Sequence, residues 1–191
     1  MELLDLIKKR RSIRRFRQED VNRDKLLNLI EVACFGHSIC NRQSLRYMIV
    51  MEEEKVKEVF DHSSLGLVSK GEDGLTPKEF APKAYILITA PGSPSHIDYA
   101  DAGASFQNMA LAGMEMNLGL FWIHAFAGDV LKKNLHVPED QTIISIVAVG
   151  RPAETPVAVS VDPEEKEKYY DSPDKNQKVP KLKTKYMVSW R

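Results

Sequence analysis

Cysteine is scarce in this chain, with only Cys34 and Cys40, and two thiols make no disulfide framework. The spacing Cys34-x-x-His37-x-x-Cys40 offers three metal-type ligands but no fourth at zinc spacing, so no metal site is expected. An excess of either charge is also missing, since 27 Lys and Arg balance 27 Asp and Glu. That balance argues against a nucleic-acid partner, for which a basic domain is expected. No apolar run approaches the roughly 20 residues that cross a bilayer, and the first residues carry no apolar core with a cleavage site. A cytoplasmic protein with no membrane partner is the expectation. G-x-G-x-x-G, a Walker loop and a nucleophile elbow are all absent, so nothing supports a dinucleotide held tightly on a Rossmann unit. Hydrophobic residues at 43% and charged residues at 28% are ordinary for a globular chain, and 191 residues are read as one domain over 1–191.

What is present is a concentration of charge near the start. Between Lys8 and Phe16 six of nine residues are cationic, Lys8, Lys9, Arg10, Arg11, Arg14 and Arg15, with Ser12 and Ile13 among them. Forked guanidinium donors match a phosphate bidentately, and a serine hydroxyl adds another short donor. By composition alone such a run is a solvated face, a localisation signal or a nucleic-acid patch. Its position at the end of a short helix, predicted from the helical spacing of Leu3, Leu4 and Ile7, places it at a turn.

A second helix follows. Asn22 is placed to cap its first amides, Val21 to staple onto Leu26, Leu29, Ile30 and Ala33 to share a face, and Gly36 to end it. Residues 36–43 then turn small and polar, as a loop folded against a ligand would be. A strand is predicted over Arg46–Met51, a surface helix over Glu52–Phe60 with Val56, Val59 and Phe60 inward, and a mobile cover over 61–82, punctuated by glycine and proline. Ala84–Ala90 reads as a central strand, Tyr99–Leu118 as the longest helix, rich in small residues and apolar almost all round, and Thr142–Val149 as a β-branched strand. Leu120–Phe126 is read as an apolar turn, Asp129–Leu135 as a short helix, and 154–180 as a polar surface excursion. Asp101, Gln107 and Asn108 are read as structural hydrogen-bonding groups in a buried helix rather than as catalysts.

Three stretches in this order, Arg10-Arg11-Ser12-x-Arg14, Asn41-x-Gln43 and Asp101–Asn108, resemble the nitroreductase family of FMN-dependent oxidoreductases over nearly the whole chain. The resemblance implies an α+β fold, a central mostly antiparallel sheet flanked by helices, and a homodimer whose C-terminal tail docks on the partner subunit. It implies FMN as cofactor, with Arg10, Arg11 and Ser12 on its phosphate together with Lys181 or Lys183, and Lys185 an equally spaced alternative. Arg14 would lie near N1 and O2 as an electrostatic stabiliser of reduced flavin. Asn41 and Gln43, from the partner subunit, would anchor the ring's pyrimidine edge, His37, Ser38 and Ile39 of the same loop would also bind the cofactor, and Ile123, His124 and Ala125 would lie along one face. His124 is read as packed rather than catalytic, since flavin N5 carries the chemistry.

The implied activity is hydride transfer from NAD(P)H to flavin and on to a small aromatic acceptor, such as a nitro compound or quinone, by a ping-pong scheme. Two departures bear on the acceptor: Ser44-Leu45 stands where the family has Pro-Trp, and Gly36-His37-Ser38 where Ala-Pro-Ser is usual. The alternatives are a flavin-storing or flavin-sensing module without turnover, and an anion- or nucleic-acid-binding protein using the patch from Arg10 to Arg15.

Overall fold

The computed structural model describes residues 2–65, 78–165, 170–171 and 177–191. Its centre is a four-stranded antiparallel sheet with the order β1-β2-β4-β3, from β1 (Arg46–Val50), β2 (Ala84–Pro91), β3 (Gly119–Ile123) and β4 (Gln141–Gly150). β2 and β4 are buried along most of their length, which is why both read as continuous apolar runs rather than as alternating ones. The strand over 119–123 corrects the expected apolar turn at 120–126. Leu120 and Trp122 point to one face and Phe121 and Ile123 to the other, a period of two hidden in the sequence because both faces are apolar.

Helices cover both faces. On one lie α2 (Arg23–Cys34) and α4 (His96–Glu115), packed on Ile86, Ile88, Val147 and Val149. On the other, α3 (Glu53–Asp61) and α5 (Gly128–Asn134) bring Val59 and Leu131 onto Tyr85, Leu87 and Ile146. The Asn22 side chain accepts from the Asp24 amide, as the cap requires, and Val21 and Leu26 are both buried in the α2 layer. Gly36 follows the end of α2 without a left-handed backbone. It is there because of crowding: a Cβ would stand 2.9 Å from the Ala33 carbonyl and 3.1 Å from the Ser105 amide.

α1 (Leu3–Lys9) buries Leu6 and leaves Leu3, Leu4 and Ile7 exposed. Beyond it, the chain from Ile13 to Phe16 lies on the sheet. The Ile13 amide donates to the Leu120 carbonyl at 3.1 Å and Phe16 is fully buried. Two glycines make room for it. A Cβ on Gly119 would stand 2.6 Å from Ile13, and one on Gly150 2.8 Å from the Phe16 ring.

The stretch 154–180, expected as a surface excursion, instead contributes a second sheet with the order β5-β7-β6, from β5 (Val157–Val161), β6 (Tyr170–Asp171) and β7 (Gln177–Leu182). Alternating Val157, Val159 and Val161 was the available signal, obscured by the polar residues around it. Much of the cover expected over 61–82, namely 66–77, lies outside the described residues. No helix among the described residues is long and apolar enough to cross a membrane.

Candidate active site

Arg10 caps the C-terminus of α1, donating its amide to the Leu6 carbonyl, and the helix stops where the cations crowd. Arg11 folds back on the same turn, its guanidinium donating to the Lys8 carbonyl at 2.5 Å and to the Arg10 carbonyl. Lys181, on β7, completes the group. Burial, then the neighbouring Arg11 and Arg10, hold the pKa of its ammonium below the ordinary lysine range. Burial likewise lowers the Arg10 pKa, and burial with the adjacent Arg10 lowers that of Arg11. Among the described residues no carboxylate forms an ion pair with Arg10, Arg11 or Lys181. Two half-buried guanidinium groups with an exposed ammonium beside them are what a polyanionic group would relieve.

Of the lysine candidates, Lys183 does not join this group, because its ammonium is 2.6 Å from Asp162. Lys185 lies over the Tyr186 ring. Lys181 alone among the three is coupled to the arginines. Ser12 is half-buried between Arg11 and Ile13.

Arg14 is held from several sides. Its guanidinium carbon is 4.6 Å from the centre of the Phe121 ring, and Nη1 donates to Gln177 Oε1 at 3.1 Å. The Glu154 carboxylate accepts from the backbone amides of both Arg14 and Arg15. Neither Glu154 nor Gln177 was singled out in the sequence. Each lies more than 100 residues from the motif that it holds, with no local pattern to betray it.

The second group is the loop after α2. Cys40, Asn41 and Gln43 have φ of 54°, 52° and 47°, left-handed values that cost a non-glycine residue on the order of 1 kcal/mol or more each. Two buried carboxylates of α4 offset this. Asp101, 2% exposed, accepts from Ser38 Oγ at 2.9 Å and from the Ile39 amide at 3.1 Å, and Ser38 Oγ in turn accepts from the Gln43 amide at 2.9 Å. Asp98 accepts from Ser44 Oγ and from both the amide and hydroxyl of Ser95, each at 2.8 Å. Those bonds, Ser95 first, hold its pKa down to about 2. Both aspartates are structural, as is Asn108, which donates to the Val32 carbonyl.

With the backbone so fixed, the amides of Asn41 and Gln43 are exposed and bonded to each other, Gln43 Nε2 to Asn41 Oδ1 at 2.9 Å. His37 beside them is exposed. Behind the loop a cavity of about 170 Å³ is lined by Cys34, Leu45, Tyr47 and Ser105 among others. No group of three or more metal-type ligands occurs among the described residues.

Ile123, His124 and Ala125 stand at and just beyond the end of β3. Ile123 is fully buried, so its side chain is committed to the core and only its backbone can face a ligand. His124 and Ala125 are exposed, and the His124 ring lies 5.2 Å from that of Trp122, which packs edge-on against Phe106 of α4.

The chain thus brings Arg10, Arg11, Arg14 and Lys181 into one region and Ser38, Ile39, Asn41 and Gln43 into another. The basic region adjoins the C-terminal end of α4, since Ile13 packs at Gly119 and a hollow joins Arg11 to Met114 and Asn117. The amide loop is pinned at Asp101, 13 residues before Met114 on the same helix, or about 20 Å along its axis. Arg14, moreover, stacks on Phe121, which packs on the opposite face of the sheet from α4.

An antiparallel sheet between two helical layers, with an arginine cluster at one place and a carboxylate-pinned amide loop at another, defines an α+β architecture that comparison with known proteins makes specific. The Nitroreductase family model matches residues 7–151. A protein of Methanothermobacter thermautotrophicus, provisionally named NADH dehydrogenase/NAD(P)H nitroreductase, is 24% identical over 163 residues, covering 82% of this chain and 80% of the relative. Among solved structures, a variant of the FMN and NADPH-dependent nitroreductase NfnB from Sphigopyxis sp. strain HMH has a TM-score of 0.73 at 18% identity, covering 100% of this chain and 99% of that one. A nitroreductase from Bacteroides fragilis, solved with bound FMN, has a TM-score of 0.64 at 21% identity, covering 80% and 89%. The chain belongs to the nitroreductase family of oxidoreductases.

Proposed function

We propose that this protein is an FMN-dependent NAD(P)H oxidoreductase acting on a small aromatic acceptor. The observation that carries the reading is the group of Arg10, Arg11 and Lys181: two half-buried guanidinium groups and an exposed ammonium, mutually repelling, fit a phosphate monoester. Ser12 would add a hydroxyl donor, and Arg14 would direct its charge to the pyrimidine end of the ring. FMN, when bound, supplies the acceptance of hydride from NAD(P)H and its passage to the acceptor, in alternation on one face. The protein binds, orients and adjusts charge, and needs no acid or base of its own.

The amide loop would serve the partner's cofactor. Asn41 and Gln43 each present a donor and an acceptor, which suits an edge of alternating carbonyl and N–H groups. Within one chain they lie far along α4 from the cations, and a two-fold pairing of α4 helices would bring the two regions together. The outer stripe of α4 suits such pairing: Ala100, Gly103, Gln107, Leu111 and Met114 recur at helical spacing, all exposed or half-buried, and nothing lies within 4 Å of where a Gly103 Cβ would stand. Leu3, Leu4 and Ile7 of α1 and Met187, Val188 and Trp190 of the tail add exposed apolar surface for the partner, Trp190 being 92% exposed.

The test is an absorbance spectrum of the purified protein with FMN, repeated anaerobically after NADH and then NADPH. Flavin bands that bleach are expected. A protein that stays colourless after FMN is supplied, and that binds DNA or RNA with steep salt dependence, would return the basic stretch to the nucleic-acid alternative.

A further inference from the structure

Arg14 is the residue whose charge the proposed chemistry depends on, and its guanidinium is steered by a group outside the family-matched stretch. Gln177 opens β7 and is 7% exposed. A guanidinium has donors only, so the amide atom facing Arg14 Nη1 at 3.1 Å must be the carbonyl oxygen. The Phe121 ring limits the guanidinium on one face and Gln177 holds Nη1 in its plane. Four residues further along β7 stands Lys181, on the same side of the strand by its period of two. One strand therefore supplies a hook for Arg14 at one end and a cation beside Arg10 and Arg11 at the other, about 13 Å apart.

We propose that Gln177 is a positioning residue that aims the Arg14 charge and thereby sets the balance between oxidised and reduced FMN in the site. This rests on the FMN reading above. An amide holds the guanidinium without adding negative charge of its own. A carboxylate of the same shape would hold it more firmly and place a negative charge beside the position where reduction of the cofactor deposits one. Shape and charge can thus be varied separately, with Gln177→Glu changing charge at nearly constant shape and Gln177→Leu removing the acceptor at nearly constant volume.

The test is FMN binding by fluorescence quenching, together with the midpoint potential of the bound cofactor by dye equilibration, in wild type and both variants. Gln177→Glu is expected to bind oxidised FMN within about threefold of wild type. It should lose about tenfold in its relative affinity for reduced FMN, which for a two-electron couple lowers the potential by about 30 mV. Gln177→Leu, which removes one of the contacts that hold the Arg14 guanidinium, should lower the potential as well, and its thermal melt reports any loss of fold separately. Wild type that fails to bind FMN overturns both the functional reading and this one. Wild type that binds FMN with a potential unchanged by Gln177→Glu overturns this inference alone.

Discussion

The two halves of the candidate site solve opposite problems. The basic region is electrostatically unfinished: Arg10, Arg11 and Lys181 raise one another's charging cost, with no carboxylate paired to them among the described residues. The amide loop is finished, its strained backbone held by Asp98 and Asp101 and its two exposed amides bonded to each other. The first region is built to gain stability from a ligand and the second to present a shape that exists beforehand. Binding energy should therefore reside in the first and orientation in the second.

The comparison breaks most sharply at Arg10. Arg10→Ala removes a charge-assisted contact to phosphate and is expected to weaken FMN binding by about 10- to 100-fold, with little change in melting temperature. An unchanged dissociation constant by fluorescence titration would show the cations to be a solvated face. Mixing tests whether the halves belong to different subunits. Arg10→Ala and Gln43→Ala proteins, each impaired alone, should regain about a quarter of wild-type sites after subunit exchange, because one site of each mixed dimer is intact. No recovery of bound FMN would mean that each chain builds its own site.

Effects on the fold should fall on the loop and on the stretch that carries the basic motif. Asp101→Ala leaves Ser38 Oγ and the Ile39 amide without their acceptor and is expected to cost about 2 kcal/mol, read by urea denaturation. Gly119→Ala should cost about 1–3 kcal/mol through collision with Ile13, displacing the motif strand; an unchanged midpoint would show that Ile13 yields freely. The smallest effect concerns acid. The Asp98 pKa is depressed, so its contribution is present above the ordinary value of 3.8 and is lost as pH falls through about 2. It amounts to on the order of 1–2 kcal/mol, and in Asp98→Asn the stability lost between pH 4 and 2 should shrink by about that amount.

The sequence made the helical caps, the central strands and the basic motif legible because each is a local pattern. Asn22 with Val21 and Leu26, or the β-branched run before Gly150, needs no distant residue to be read. β3 was misread because both of its faces are buried, which erases alternation. Spacing could not separate Lys181, Lys183 and Lys185, because what distinguishes them is a distant partner such as Asp162, which pairs with Lys183. Glu154 and Gln177 were illegible in principle, since one glutamate or glutamine in a polar stretch carries no mark of the arginine that it will meet.

That last contact has a consequence for biosynthesis. Arg14 and Gln177 are 163 residues apart, so the motif leaves the ribosome long before the strand that aims it. At ordinary synthesis rates the interval is on the order of 10–30 s, during which the arginines have neither Gln177 nor Lys181 beside them. If FMN binds as proposed, its loading would be a late event that waits for translation through β7.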